Sequence, residues 1–265
     1  MIKKNAKLDA LFIPSEAEQA RKREPRILTL DIETSPHLAW TYGLYNVTIP
    51  PERVVQPSRI LCFAAKWLSH KKVLYFAGHE IGHAAMVKAA RDLLDAADIV
   101  VTYNGIKFDE KHLRREFLEA GLTPPSPYKS IDLYRTVAST FKFPSNRLGQ
   151  VGDELQIGTK VETGGWKLWA GVLDGDEKSL RLMKRYNIQD VVLTEDLLVA
   201  LGPWVKGLPH RGIWTGNLEG CYACGSDNLE RDGIAFTTVT VYPRFRCNDC
   251  GAWNKTLRNG QTRAV

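Results

Sequence analysis

"LTLDIETSP", residues 28–36, is the stretch on which the fold turns. Behind Pro25, the apolar positions Ile27, Leu28, Leu30 and Ile32 read as a short β-strand, in which side chains at i and i+2 point to the same face. Asp31 and Glu33 therefore share a side, and a rise of about 3.3 Å per residue sets their Cβ atoms roughly 6 to 7 Å apart. Two like charges at a half-buried strand end repel, so one takes up a proton unless a cation lies between them. A divalent metal resolves the conflict. The plainer reading is a strand end where both acids face water. A similar pair, Asp174 and Asp176 in "LDGDE", reads as an ordinary loop before a helix. The first pair needs support from elsewhere in the chain.

The 265 residues, 44% hydrophobic, suffice for one large domain with a small one beside it. No apolar run approaches a membrane span, and "MIKKNAKLDALFIPSE" lacks the apolar centre of a signal peptide, so a soluble, cytoplasmic protein is expected. The formal net charge of +6 fits a polyanionic partner without requiring one. Cys62 stands alone in the apolar run "ILCFAAKW" and reads as core. The other four cysteines form two C-x2-C-G knuckles, "CYACG" (Cys221, Cys224) and "CNDCG" (Cys247, Cys250). Four thiolates at this spacing suit one tetrahedral, structural Zn²⁺. The glycine after each pair permits a tight turn. A disulfide or redox role is the weaker alternative, because no helical pattern flanks either pair.

Residues 1–25 are polar and basic and read as an N-terminal extension, followed by a main domain over 26–201, a Pro/Gly-marked linker over 202–217, and a zinc ribbon with its tail over 218–265. Strands are expected at 27–32, 60–67, 72–78 and 98–104, and helices at 80–97, 109–121, 131–140, 146–155 and 176–201. Early strands followed by alternating helix and strand indicate an α/β sheet covered by helices.

Two further segments carry acids. In "VVTYNGIKFDEKHLRREF" a strand ends at Tyr103, "NG" turns the chain, and Asp109 lies in the first turn of a helix, where the macrodipole favours a carboxylate whatever its role. In "RYNIQDVVLTEDLL", Tyr186 and Asp190 stand four apart and share a helix face. Each motif alone has an ordinary structural explanation.

The order of the three is more specific. D-x-E at the end of a first strand, N-x3-F-D at a strand-to-helix junction and Y-x3-D on a late helix resemble the DEDDy group of DnaQ-like 3′ to 5′ exonucleases, over roughly residues 26–201. The resemblance implies an RNase H-like fold, a mixed sheet flanked by helices. It makes Asp31, Glu33 and Asp190 ligands of one divalent ion, with Asp31 bridging to a second that Asp109 supports, often through water. Tyr186 matches the residue that positions the attacking water, and Phe108 the aromatic that packs near the terminal base. Thr34 falls beside these as a position implied to touch substrate. Asn104 either touches the strand or caps the following helix, the cap being the favoured reading. The added C-terminal ribbon looks like nucleases encoded by phages, which would place the protein in the host cytoplasm.

The expected chemistry is hydrolysis of phosphodiester bonds in single-stranded or frayed DNA, with two Mg²⁺ or Mn²⁺ about 3.5 to 4 Å apart serving the attacking water and the leaving oxygen. Four carboxylates and two such ions sum to zero formal charge, and oxygen ligands favour these ions over zinc. RNA stays open as a rival substrate. So does a different class of function, a nucleic-acid-binding adaptor without catalysis, although such a module gains nothing from repelling carboxylates. Replication or recombination proteins are open as partners; no membrane partner is expected. "HEIGH", His79 to His83, matches the zinc-protease signature H-E-x-x-H, but it follows the strand-ending "FAG", so His79 is expected to cap a helix rather than lie within it. In the ribbon, Arg244, Arg246, Lys255 and Arg258 interleave with Tyr242, Phe245 and Trp253, a pattern suited to phosphates and bases or, more plainly, to filling a small core.

Overall fold

The computed structural model describes residues 23–68, 70–257 and 259–265; most of the basic stretch 1–25 lies outside the described residues, as does Arg258. Two units divide the chain, Arg26–Lys206 and, with residues 23–25, Gly207–Val265.

The first unit holds strands β1 (Ile27–Thr34), β2 (Leu38–Ala39), β3 (Val54–Gln56), β4 (Ile60–Trp67), β5 (Leu74–Ala77), β6 (Ile99–Thr102) and β7 (Lys129–Asp132). Its helices are α1 (Gly78–Ile81), α2 (His83–Ala96), α3 (Asp109–Glu119), α4 (Leu133–Thr140), α5 (Leu148–Glu154), α6 (Trp166–Leu173) and α7 (Glu177–Leu201). The main sheet runs in the order β5-β4-β1-β6-β7. The first three strands pair antiparallel, while β6 and β7 run parallel to β1. This is the mixed, helix-flanked sheet expected of an RNase H-like α/β fold.

Alternation along β1 decides which face does what. Leu28, Leu30 and Ile32 pack on one side with Met86, Val87, Ala90 and Leu94 of α2 and with Leu113 and Phe117 of α3. Burying each such leucine or isoleucine contributes roughly 1.5 to 3 kcal/mol, so a slip by one residue, which would pull all three from this core and put the two acids into it, is strongly disfavoured. Asp31 and Glu33 are thereby turned to the opposite side, where α7 crosses β1, β4 and β6. The run "ILCFAAKW" of β4 is buried on both faces in its centre, as an interior strand should be, and Cys62 is core against Ala77, Leu168 and Met183.

Four local expectations change. The helix expected over 80–97 is two helices, because the chain breaks at Gly82, which sits at φ +85° between α1 and α2. The helix expected from 131 begins at Leu133, since "KSID" is instead strand β7, paired with β6, and the Asp132 side chain caps α4 by accepting from Tyr134 N–H at 3.1 Å. A four-residue edge strand is too short for alternation to betray it. Helix α6 has no counterpart among the expected elements; it seats Leu168 against Met183 of α7. The stretch 202–217 holds a 3₁₀ turn, Gly202–Trp204, and α8 (Gly212–Thr215). At Asp176, the second acid of "LDGDE", the ordinary reading holds: its carboxylate caps α7 by accepting from Ser179 N–H at 2.8 Å.

The second unit is a four-stranded antiparallel sheet, β8 (Leu229–Phe236), β9 (Val241–Cys247), β10 (Trp253–Thr256) and β11 (Thr262–Ala264), in the order β11-β10-β9-β8. Among the described residues no helix is long and apolar enough to cross a membrane.

Candidate active site

Helix α7 carries Asp190 to the face of β1 that bears the paired acids, and carboxylate oxygens of Asp31, Glu33 and Asp190 lie within 4.8 Å of one another. Asp109, at the start of α3, reaches the same strand from its end. Its Oδ1 accepts from Ile32 N–H at 3.1 Å, between the two acids of β1. Asp109 thus stands outside the tight group of three, yet close enough to act on Asp31 electrostatically.

Burial and mutual repulsion drive these groups toward their neutral forms. Burial first, then Asp109, Glu33 and Asp190, raises Asp31 well above the carboxylate range. Burial and then Asp190 push Glu33 up to about 8. Burial pushes Asp109 up to about 7 against its backbone hydrogen bonds. Asp190 is raised by burial, with Lys160 opposing. Its Oδ1 is buried and has no hydrogen-bond partner. A buried carboxylate oxygen left without a donor is costly, and a divalent cation, which takes hard oxygen ligands, fits both that oxygen and the excess negative charge.

Two residues complete the site that no motif marked. Lys160 Nζ donates to Asp190 Oδ2 at 2.5 Å and to Tyr186 Oη at 3.0 Å, and lies over the Tyr186 ring, 4.9 Å from its centroid. Burial works against its charge, but Asp190 and the hydrogen bonds prevail and raise its pKa. The alkyl stem of Lys160 lies across α5 where Gly149 has no side chain; a Cβ there would come within 2.9 Å of Lys160 Cγ. Asn187, fully buried, donates from Nδ2 to Asp31 Oδ2 at 2.7 Å and to the Asp31 carbonyl at 3.1 Å, fixing that carboxylate against its own backbone. A polar residue three before Asp190, on the inward face of α7, was the available signal for Asn187. Lys160 sits in a loop with no periodicity, so nothing local pointed to it.

An open groove of about 520 Å³ borders the acids, lined by Asp31, Tyr103, Asn104, Tyr134, Arg147 and Lys160 among others. Asn104 is in this lining and does not cap α3. The residue at the cap is Phe108, with no side-chain hydrogen bond to the helix, while Asn104 takes φ +67° and its N–H donates to Asp132 Oδ1 at 2.8 Å. Asn104 lies four residues ahead of the cap position, inside the turn that precedes it, which is why the cap reading fails. Phe108 is half exposed and packs against His112, centroids 4.6 Å apart. Thr34 ends β1 across the register irregularity that follows Glu33, opposite Ile60.

Residues 28–202 match the family model of the RNase H superfamily. The chain belongs to that superfamily. Among curated proteins no sequence matches it. In fold this RNase H superfamily member is similar to the structure of the family B DNA polymerase from the hyperthermophilic archaeon Pyrobaculum calidifontis, at 17% identity and a TM-score of 0.53. That likeness covers 84% of this chain and 32% of the polymerase chain. Membership of this superfamily points to a nuclease, and Asp31, Glu33 and Asp190 are a group that could hold a metal ion.

The zinc-protease signature is broken in this RNase H-like unit. His79 and Glu80 lie inside α1, capped by Ala77 and not by His79, and Gly82 turns the chain before His83 opens α2. Glu80 pairs with Lys184 at 3.0 Å and His83 with Glu116 at 2.8 Å, so the two histidines do not share a helix face.

In the second unit the four cysteines converge. Cys221 and Cys250 sulfurs are 3.7 Å apart, Cys224 and Cys247 sulfurs 3.6 Å. A disulfide would need about 2.05 Å, whereas the edge of a tetrahedron with metal–sulfur bonds of about 2.3 Å is about 3.8 Å. Each knuckle closes by a glycine N–H, Gly225 to the Cys221 carbonyl and Gly251 to the Cys247 carbonyl, with φ of +79° and +77°. Beside them, Arg244 lies over Trp253 at 4.6 Å and Lys255 over Tyr242 at 5.7 Å.

Proposed function

We propose that the protein is a metal-dependent 3′ to 5′ exonuclease of the DEDDy type, removing nucleoside monophosphates from single-stranded or frayed DNA. The observation that carries this reading is the convergence of Asp31, Glu33 and Asp190 within 4.8 Å around a buried, partnerless Asp190 oxygen. Asp31, Glu33 and Asp190 would hold one Mg²⁺ or Mn²⁺, and Asp31 with Asp109 a second; such ions supply an activated water and a stabilised leaving oxygen.

The remaining work falls to the chain itself. Asn187 fixes the rotamer of Asp31. Lys160 neutralises part of the acid cluster and donates to Tyr186 Oη, which leaves the phenol proton of Tyr186 for Asp190 or for a water beside it. Burial, followed by the charge of Asp190, pushes that phenol up to about 12, so at neutral pH Tyr186 orients water as a neutral donor and does not act as its base. Arg147, Tyr103 and Tyr134 border the groove where a phosphate and a base would lie. The ribbon takes one structural Zn²⁺ on its four thiolates, with Arg244, Lys255, Tyr242 and Trp253 as its nucleic-acid face.

The test uses 5′-labelled single-stranded DNA and RNA oligomers with Mg²⁺, Mn²⁺ or no added ion, wild type against Asp190→Ala. A ladder shortening from the 3′ end, dependent on metal and absent in the variant, is the expected result on DNA. A ladder on RNA alone would make the protein an exoribonuclease. Bound but uncut oligomers in every metal would favour the adaptor.

A further inference from the structure

Between β1 and β4 the chain leaves the sheet and returns, and the excursion carries aromatic rings into solvent. Trp40 is 75% exposed, Tyr42 98% and Tyr45 88%. Three such rings within six residues form a patch of a kind that marks an interaction site on a folded protein. The excursion is built, not loose. Its stem is the ladder of β2 with β3, pairing Leu38 with Gln56 and Ala39 with Val54. Trp40 N–H donates to the Arg53 carbonyl at 2.9 Å, Ser35 N–H to the Arg59 carbonyl at 2.8 Å, and Ser58 N–H to His37 Nδ1 at 3.0 Å. The rings are therefore presented by an anchored stem that springs from β1 two residues past Glu33.

The chemistry of the patch favours one occupant. Glu52 is the sole acid in residues 34–59, against Arg53 and Arg59. The Arg53 guanidinium lies 5.2 Å from the Tyr42 ring centre, placing a cation beside a stacking surface. At the foot of the stem, His37 is near enough to His112 to help hold it below the ordinary histidine range, after burial and Arg115. His112 in turn packs on Phe108. Leu38, Leu44 and Val55 are exposed beside the rings, and an aliphatic surface alone would suit a protein partner or a second copy; three exposed rings with the Arg53 guanidinium over one of them suit bases and a phosphate.

We propose that residues 38–55 are a stacking strap that holds the single strand on the 5′ side of its reacting end, through Trp40, Tyr42 and Tyr45 on bases and Arg53 on phosphate. This rests on reading the neighbouring acids as the exonuclease site. The strap sets affinity for long strands and leaves hydrolysis of a minimal substrate alone.

The experiment compares wild type with Trp40→Ala/Tyr42→Ala/Tyr45→Ala, whose side chains are too exposed to affect folding, as an unchanged Tm would show. Hydrolysis is followed on p-nitrophenyl thymidine 5′-monophosphate and on an oligothymidylate of about 12 nucleotides. Binding of the labelled oligomer is followed by fluorescence anisotropy, with and without the triple change, in an Asp190→Asn background that does not cut. The expected result is an affinity for the oligomer weaker by about tenfold or more, a KM raised in parallel, and an unchanged rate on the small ester. Equal affinities overturn the strap. So does a wild type that sediments as a dimer and a triple variant that sediments as a monomer with oligomer affinity intact, which would make the patch a protein interface. Should wild type hydrolyse neither substrate, the exonuclease reading falls by itself, and the anisotropy ratio still decides the strap: tenfold supports it, unity overturns it.

Discussion

The acid cluster and the thiol cluster each gather side chains that repel when ionised, but they are assembled by different means. The thiols come from two local turns, each closed by its own backbone hydrogen bond, and their sulfurs already stand at tetrahedral-edge distances. The acids come from β1, α3 and α7, up to 159 positions apart by the numbers of Asp31 and Asp190, and are held by a sheet and helix core that does not depend on them. On the proposed function, metal at the thiols would be part of the folding of a small unit, while metal at the acids would serve catalysis on a unit already folded. The donor atoms separate the ions as well, soft sulfur against hard oxygen.

The largest effect that tests this contrast is Asp190→Ala. Loss of a shared metal ligand removes several kcal/mol of transition-state stabilisation, so 3′-end trimming should fall about 10³-fold or more while the Tm stays near wild type or rises. A large drop in Tm would mean the acids are structural after all. Cys224→Ser should do the reverse: zinc content and ribbon structure are lost, read by metal analysis and by proteolysis within 207–265, while hydrolysis of a minimal substrate by residues 26–206 persists. Loss of that hydrolysis would show the two units to be coupled.

Next in size, Lys160→Met keeps the stem against Gly149 and deletes the ammonium. It should lower kcat about 10- to 100-fold, comparably with Tyr186→Phe at about 10²-fold, and the double variant should lose little more than either alone. Independent, additive losses would separate Lys160 from Tyr186.

The smallest effect concerns pH. Glu33 at about 8 and Asp109 at about 7 lie above their unfolded values, so the folded chain binds more protons than the unfolded one across that window. In buffer without Mg²⁺ or Mn²⁺, the Tm of the main unit should fall as pH rises from about 5 to 8, and added Mg²⁺ should restore it more at the upper end. A Tm that climbs over this range would mean the acids ionise without strain.

Much of the site was legible because its motifs are local statements. D-x-E on an alternating strand puts two acids on one face, Y-x3-D puts a tyrosine one helical turn from an acid, and paired C-x2-C-G turns announce a metal knuckle. What escaped was carried by elements too short or too irregular to have a period. Strand β7 exists because β6 offers it a partner edge, and α6 because Met183 offers Leu168 a seat. Asn104 was misread because a polar residue ahead of a helix suits a cap, whereas it takes a positive φ and its N–H donates to Asp132 of a strand that the sequence did not reveal.

By itself the sequence determined the class of fold, the three acid-bearing segments, the turned cysteine pairs and the side of β1 on which charge would gather, since each follows from residue type and a spacing of two, three or four. Only the tertiary structure decided that Lys160 reaches Asp190 and Tyr186, that Asn187 holds Asp31, that Asp109 is bound to the β1 backbone, and that Trp40, Tyr42 and Tyr45 stand in solvent. Those are contacts between segments far apart in the chain, and they are set by how the sheet and its helices pack, which no local pattern encodes.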